Sequence, residues 1–531
     1  MKKLFFSLII VLTSTLINAQ VTEEWVARYD GSSGNYDEAY SVAVDHLGNV
    51  YVTGQSEIVS LNYDCVTIKY NPSGGQVWEQ RYDGGINQND IGYSIAVDAA
   101  DDAYVLAKSH VDCVLFKYST VQGNELWKKT YANTTGYSMV LDDQTNIYVT
   151  GGGYNNIGGS LDFKTIKFNF LGTEQWIAYY SGPDSLGDIA SDISIDANGN
   201  VYVTGSVEGY LNRDIATAKF NYLGALQWAQ TYNGPANFDD GETSSIALDD
   251  SGNVYITGSS EQSYGVRDYV TIKYNTNGVL QWIKRFDFGG DDLVKDIAVD
   301  NNRNIYVTGW SEGIGTSIDY ATIKYNSEGD QLWISRYNGP DSLQDGAYAL
   351  TLDATGNVYV TGGSAKDWYE DCVTIKYNSN GSEIWVQRYN GPGNGWDQGK
   401  AIAVDAAGNV YVTGGSYGDG TKTDYVTIKY SQTTGVEHLS NNIPDEFSLL
   451  QNYPNPFNPS TRIKFRILKV GFASLKVFDF LGNEVTTLVY KELAAGEFEV
   501  NFNAKDLSSG VYFYKLQADK FIETKKMILL K

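Results

Sequence analysis

The sequence predicts an all-β protein built from repeated four-stranded units, and three observations support this fold class. Strand-forming aromatic residues are abundant, with 41 Tyr, 20 Phe and 11 Trp, whereas charged residues make up only 19% of the chain. The segment YVTG, or a close variant, recurs eight times at intervals of 44 to 54 residues. The length of 531 residues exceeds what one small core supports unless repetition builds it. We therefore predict an eight-bladed β-propeller over residues 20–435, followed by a small Ig-like β-sandwich.

The N-terminus has the pattern of a secretory signal peptide. Lys2 and Lys3 precede an apolar run from Leu4 to Leu16, and small residues follow near Ala19. No later segment approaches the roughly 20 apolar residues of a spanning helix. We expect residues 1–19 to be a signal peptide that directs export to the periplasm, and we expect no transmembrane segment.

Each repeat contains four short apolar stretches, as in 349–353, 357–361, 372–377 and 383–389. The first two stretches are joined by Asp-x-x-Gly-Asn, a pattern that predicts a tight turn closed by a left-handed Gly. Copy two has Asp101 where the pattern has Gly, so we expect an irregular hairpin there.

The two ends of the array predict how the propeller closes. The segment around Trp25 resembles a fourth strand with no strand ahead of it, whereas the last copy ends without its Trp. We expect the N-terminal strand, about 24–30, to complete the last blade and so remove two exposed sheet edges.

These units resemble the SBBP-type bacterial β-propeller repeats, which are similar to the NHL family in their D-x-x-G-N-V-Y-V-T core. The resemblance covers about residues 22–435. It implies the propeller fold and leaves the activity open, since such propellers carry many unrelated activities.

A second domain is expected after a polar linker over 436–449. Alternating segments within 450–531 predict the β-sandwich. The segments QNYPNPFNP (451–459), VFDFLGNEV (477–485), DLSSGVYFYKL (506–516) and the terminal KKMILLK closely resemble the type A C-terminal sorting domain of type IX secretion cargo. The resemblance implies handling by the type IX secretion machinery, removal of the tag, and release or attachment at the outer cell surface.

The net charge restricts the class of partner, and the cysteine positions bear on disulfide bonding. The formal net charge is −25, and the whole acidic excess lies within the repeats, which argues against nucleic acid or anionic lipid as the main partner. Cys65, Cys113 and Cys372 occupy equivalent repeat positions, where other copies have Tyr or Phe. We expect them to be apolar strand residues too far apart to form disulfides.

No catalytic residue is predicted. The only histidines are His46, His110 and His438, and no HExxH, CxxC, P-loop or GxSxG motif is present. Catalysis by paired loop carboxylates stays open because Asp is abundant.

One Asp series precedes the first strand of seven copies, and a second opens the third strand of every copy. A role in which each carboxylate accepts backbone N–H bonds in its own blade explains this period. The alternative is a ring of cation sites, with calcium as the possible ion and no cofactor otherwise required. The candidate ligands are Asp37, Asp90, Asp188, Asp240, Asp292, Asp345 and Asp397.

Three tryptophans lie outside the repeat pattern: Trp310, Trp368 and Trp396. We expect them in loops on the face that carries the Asp residues, with Tyr369 and Tyr417 nearby. Aromatic side chains there would stack on sugar rings or anchor a protein ligand; packing over loop backbone is the alternative.

Together these features predict a secreted or surface-displayed propeller that acts as a non-catalytic binding or adhesion module for a glycan or a protein. The alternative is an extracellular polysaccharide lyase or glycosidase that uses loop carboxylates.

Overall fold

The structure is a computed structural model that describes residues 21–530. Its gaps are 32–33, 60–61, 86–88, 156–158, 185, 211, 314, 316, 433–435, 441–443, 445 and 505–506. The predicted signal peptide lies outside the described residues. Within the described ranges, no helix is long and apolar enough to cross a membrane.

Residues 23–431 form one compact unit, in which the described residues make eight four-stranded sheets. In seven of them the strands follow chain order. Their bounds are β2–β5 at Asp37–Val44, Val50–Val59, Asn62–Tyr70 and Gln76–Tyr82; β6–β9 at Asp90–Val97, Ala103–Ser109, Asp112–Tyr118 and Glu125–Tyr131; β10–β13 at Thr134–Leu141, Ile147–Tyr154, Leu161–Phe168 and Glu174–Tyr180; β14–β17 at Ile189–Ile195, Val201–Glu208, Arg213–Phe220 and Leu226–Tyr232; β18–β21 at Asp240–Leu248, Val254–Ser263, Val266–Tyr274 and Leu280–Phe286; β22–β25 at Asp292–Val299, Ile305–Glu312, Ile318–Tyr325 and Gln331–Tyr337; and β26–β29 at Asp345–Leu352, Val358–Lys366, Tyr369–Tyr377 and Glu383–Tyr389.

The eighth sheet joins the two ends of this unit. Its strand order is β1-β32-β31-β30, with β1 at Val21–Tyr29, β30 at Asp397–Val404, β31 at Val410–Tyr417 and β32 at Thr423–Gln432. The N-terminal strand therefore hydrogen-bonds to the last strand of the array.

The Asp-x-x-Gly-Asn-x-Tyr pattern forms the hairpin between the first two strands of a sheet. In the first copy, Asp45 Oδ1 accepts hydrogen bonds from the N–H groups of Leu47 and Asn49 at 2.9 and 2.8 Å. Its Oδ2 accepts one from the Tyr51 hydroxyl at 3.1 Å. Asp101 closes the same turn in copy two with a φ of 64°, so the irregular hairpin expected there is not found.

The repeated Trp and Gly fasten neighbouring sheets together. Trp78 Nε1 donates to the Thr120 carbonyl in the next sheet at 3.1 Å, and Trp25 Nε1 donates to the Pro72 carbonyl at 3.0 Å. Gly74, at a φ of 83°, packs so closely on Trp25 that a Cβ there would lie 2.7 Å from the indole. Glycine is required at this turn by both its backbone conformation and its neighbour.

The core lies between adjacent sheets. One buried cluster combines Ala39, Val50 and Val66 of the first sheet with Tyr411 and Tyr425 of the eighth. Cys65, Cys113 and Cys372 are buried free thiols in third strands, as the repeat pattern predicted. The prediction of an all-β propeller is confirmed at this level.

Residues 432–531 belong to the second unit and form two further four-stranded sheets. One has the order β33-β38-β35-β34 and the other β37-β36-β39-β40. The bounds of β33–β40 are Val436–Ser440, Ser448–Leu449, Ser460–Ile467, Gly471–Phe478, Glu484–Leu493, Gly496–Asn503, Gly510–Ala518 and Phe521–Leu529.

The two sheets share one core that includes Ile463, Phe465, Leu475 and Leu516. The stretch 436–449, expected to be a linker, instead contributes β33 and β34 to this unit, because Val436 pairs with Val500 and Leu449 with Phe465.

Candidate functional site

A β-bulge in the first strand of the sheets gives the candidate site its side chains. In β2 the register shifts between Ala39 and Ser41, so Tyr40 is the extra residue and has no cross-strand partner. The same shift makes Tyr93 the extra residue of β6 and Tyr137 that of β10. All three rings are partly exposed.

The bulged tyrosines of successive sheets are in contact. The Tyr40 and Tyr93 rings stack with centroids 6.5 Å apart, and Tyr93 meets Tyr137 edge to face at 5.4 Å. Such arrangements are favourable for aromatic rings. A continuous aromatic surface therefore runs over the first strands of three sheets.

Charged and amide side chains continue this surface toward the eighth sheet. Glu38 Oε2 accepts a hydrogen bond from the Tyr40 hydroxyl at 2.9 Å, and Glu38 Oε1 lies 3.5 Å from Lys400 Nζ. Lys400, the bulged residue of β30, lies 4.4 Å from the centre of the Tyr348 ring and donates to Gln398 Oε1 at 2.6 Å. Burial raises the pKa of Tyr348 to about 12, and its hydroxyl accepts a hydrogen bond from Gln398 Nε2 at 3.4 Å.

A cavity of about 290 Å³ lies where the first and eighth sheets meet. It is lined by three aromatic side chains and by amide, carboxylate and hydroxyl groups, namely Tyr36, Glu38, Gln55, Tyr63, Trp396, Gln398 and Thr423, together with Gly415. The cavity is thus suited to a small polar ligand that also has an apolar face.

Trp396 is the one residue of the predicted aromatic set that lines this cavity. It is 51% exposed, directly before β30, and its carbonyl accepts a hydrogen bond from the Tyr417 N–H at 3.1 Å. Tyr417 itself ends β31 and is 37% exposed.

The other predicted aromatic residues have different environments. Trp310 lies inside β23 rather than in a loop, is partly buried, and packs under Lys295, whose Nζ is 5.5 Å from the ring centre. Trp368 lies in the β27–β28 turn and is 86% exposed, whereas Tyr369 begins β28 and pairs with Lys366. The neighbouring Glu370 accepts a hydrogen bond from Gln398 of the cavity, so this turn lies beside the site.

The predicted Asp series is buried where neighbouring sheets meet, each member 0 to 1% exposed, and does not gather around one ion. The Oδ2 atom of each of three members accepts a hydrogen bond from the N–H of a glycine six residues earlier. The pairs are Asp90 with Gly84 at 2.7 Å, Asp188 with Gly182 at 2.6 Å, and Asp345 with Gly339 at 2.6 Å. Asp240, Asp292 and Asp397 accept equivalent N–H groups. No two members of the series share an acidic cluster among the described residues.

A pair of carboxylates with raised pKa values also lies on the first strands. Burial raises the pKa of Asp296 to about 7, with Asp192 adding to the effect. Asp192 accepts hydrogen bonds from the Ser138 and Ser245 hydroxyls of two neighbouring sheets, at 2.9 and 2.8 Å. Asp296 accepts the Leu350 N–H at 2.8 Å. Neither residue lines the cavity, and both fasten adjacent sheets.

Family models match two parts of the chain. A model described as a beta-propeller repeat, SBBP, matches residues 24–58, 175–206, 227–263 and 281–315. A model described as a secretion system C-terminal sorting domain matches residues 451–530. The chain carries SBBP propeller repeats and a type IX sorting domain. This sorting domain implies interaction with the secretion machinery and points to a secreted or outer-surface propeller.

Individual proteins match at low identity. An uncharacterized WD repeat-containing protein of Acanthamoeba polyphaga mimivirus is 22% identical over 471 residues, which is 73% of this chain and 30% of that protein. Among solved structures, the Dos1 propeller has a TM-score of 0.51 at 11% identity, covering 77% of this chain and 95% of its own. The polysaccharide lyase Uly1 has a TM-score of 0.41 at 10% identity, covering 64% and 89%. The Dos1 match supports the propeller fold alone.

Proposed function

We propose that this protein is a secreted or surface-displayed propeller that binds a carbohydrate without cleaving it. The observation that carries the proposal is the cavity between the first and eighth sheets. Sugars have apolar C–H faces and a rim of hydroxyls. The rings of Trp396, Tyr36 and Tyr63 suit those faces, and Glu38, Gln55 and Gln398 suit the hydroxyls.

The form of the site favours a carbohydrate over a protein ligand. Its volume of about 290 Å³ is close to the lower end of small-ligand pockets. The stacked Tyr40, Tyr93 and Tyr137 extend from the cavity over further sheets, which suits a polymer better than a single sugar. The exposed Trp368 adds an aromatic ring beside the cavity.

The architecture behind this proposal is a closed ring of eight blades. The hydrogen bond from Trp25 to Pro72 and the core shared by the first and eighth sheets support closure by the N-terminal strand. We place an Ig-like sandwich after it, and we propose that a signal peptide takes the chain to the periplasm before the sorting domain directs it outward.

The test is a glycan and polysaccharide array probed with the purified full chain, with and without calcium, while the length of each polymer is followed. We expect binding without shortening, and binding at least tenfold weaker for Trp396→Ala, because loss of a stacking ring costs about 1.4 kcal/mol or more.

The matched control is Tyr264→Ala, since Tyr264 is 91% exposed in a turn that does not line the cavity. Its binding should equal that of the wild type. Shortened polymers would replace the proposal with a lyase or glycosidase. Silence on all glycans, together with capture of a defined protein ligand, would replace it with protein binding.

A further inference from the structure

Three carboxylates converge at each of three places where neighbouring sheets meet. One carboxylate oxygen from each member of a cluster lies within 4.8 Å of the others. The clusters are Asp30, Asp37 and Asp424; Asp64, Asp83 and Asp90; and Asp268, Asp287 and Asp292. Each therefore combines the third strand of one sheet, the residue after its fourth strand, and the first strand of the next sheet.

Two members of every cluster are buried, and each of them has at least one carboxylate oxygen without a hydrogen-bond donor. Asp64 and Asp90 are 0% exposed, yet Oδ1 of each accepts no hydrogen bond. Asp37 is also 0% exposed, and neither of its oxygens accepts one. The same holds for Oδ1 of Asp268 and Asp292, which are 1% and 0% exposed. Buried carboxylate oxygens without partners are costly and call for a missing partner.

The charge of each cluster defines that partner. One arginine pairs with one carboxylate in each cluster: Arg28 with Asp424 at 2.7 Å, Arg81 with Asp64 at 3.0 Å, and Arg285 with Asp268 at 2.8 Å. Three carboxylates and one guanidinium leave two negative charges without compensation. A divalent cation would neutralise them.

The geometry selects among divalent cations. Calcium binds six to eight oxygens at about 2.4 Å, so its opposite ligands lie about 4.8 Å apart. One oxygen from each of the three carboxylates lies within that span, and calcium accepts irregular all-oxygen coordination, whereas magnesium requires a near-ideal octahedron at about 2.1 Å. The third carboxylate of each cluster, on Asp30, Asp83 or Asp287, is exposed and leaves the cluster open to solvent. We propose that these three clusters are calcium sites that clamp neighbouring sheets together.

Other places where neighbouring sheets meet provide a natural comparison. At three of them, Asn233, Asn338 and Asn390 stand at the position that Asp83 occupies in its cluster. At one of them Arg336 still pairs with Asp319 at 2.9 Å, and Asp345 still begins the next sheet. The sheets therefore form with Asn at this position, so an Asp-to-Asn change removes charge and keeps the local fold.

The experiment is calcium titration of the chelator-treated full chain by calorimetry, together with thermal unfolding with and without calcium. The variant combines Asp30→Asn, Asp83→Asn and Asp287→Asn. We expect about three calcium ions per wild-type chain, a rise in unfolding temperature with calcium, and magnesium binding at least tenfold weaker. The variant should lose the calcium binding and the rise, while unfolding in chelator at or above the wild-type temperature because repulsion is relieved.

A charge-matched control combines Asp143→Asn, Asp250→Asn and Asp330→Asn, three exposed positions outside the clusters. It should bind calcium as the wild type does. The proposal is overturned by absence of saturable binding at 1 to 10 mM calcium, by unchanged binding in the cluster variant, or by equal loss in the control.

Discussion

Trp368 is held in a backbone conformation that suits glycine, and replacing it should stabilise the protein. Its φ is 85°, it is the second residue of the two-residue turn between β27 and β28, and its side chain is 86% exposed. The left-handed conformation costs a residue with a Cβ about 1 to 2 kcal/mol. The exposed indole recovers little of this cost by burial.

The expected effect of Trp368→Gly is a gain of about 0.5 to 1 kcal/mol. Glycine relieves the backbone cost but loses about 0.5 to 1 kcal/mol through the greater freedom of the unfolded chain. The midpoint of urea unfolding, measured at constant calcium, is the assay. Gly265 gives the reverse control: it is the second residue of the β19–β20 turn at a φ of 75°, with open space where a Cβ would lie.

Gly265→Ala should therefore destabilise by about 1 kcal/mol through backbone strain alone. A lower midpoint for Trp368→Gly, with Gly265→Ala behaving as expected, would refute the reasoning and mean that the indole makes a stabilising contact.

Three further predictions concern the propeller. In chelator, stability should fall as pH rises from about 4 to 7. Burial and the neighbouring carboxylates of Asp30 and Asp424 raise the folded-state pKa of Asp37 from 3.8 to about 7, against the opposing effect of Arg81. The folded protein therefore keeps a proton that the unfolded chain releases. In Asp37→Asn, the unfolding temperature should fall less between pH 4 and pH 8. The three cysteines should resist a thiol reagent in the native protein and react fully in denaturant, because burial raises the pKa of each thiol to about 12; rapid native labelling would contradict this. Trp25→Phe should destabilise by about 1 to 3 kcal/mol in urea unfolding, because the Pro72 carbonyl keeps only the Lys429 ammonium of its two donors and packing on Gly74 is reduced; an unchanged midpoint would argue against this contact as a fastening.

The repeat pattern predicts the turns and strands that form through interactions within a single repeat. The Asp45-type turns and the four strands follow from local hydrogen bonding and alternation, and both are present. Trp310 was misplaced because the second strand runs to Glu312, past the point where the YVTG segment ends. The linker was predicted from polar composition, which does not reveal that Val436–Ser440 pairs with a strand some 60 residues later.

The candidate site was harder to predict because it is assembled from several copies. Tyr40, Tyr93 and Tyr348 each lie three residues after an Asp of the predicted series, so their period is visible in the sequence. Their position on the strand depends on a β-bulge, which interrupts the alternation of the strand and which the sequence pattern does not reveal. The carboxylate clusters combine residues from two sheets, and Asp83 gave no sign of this because its neighbours in space are 19 and 7 residues away in sequence.

The tryptophan that reaches into the next sheet has a consequence for how the molecule unfolds. A linear array of repeats has terminal units that contact one neighbour only, and it frays from them. Here Trp25 gives the first sheet the same fastening that Trp78 gives the second, so the closed ring that we propose would have no unit with a single neighbour. Loss of one sheet from such a ring would expose both adjoining faces at once, so we expect the whole ring to unfold in one cooperative transition.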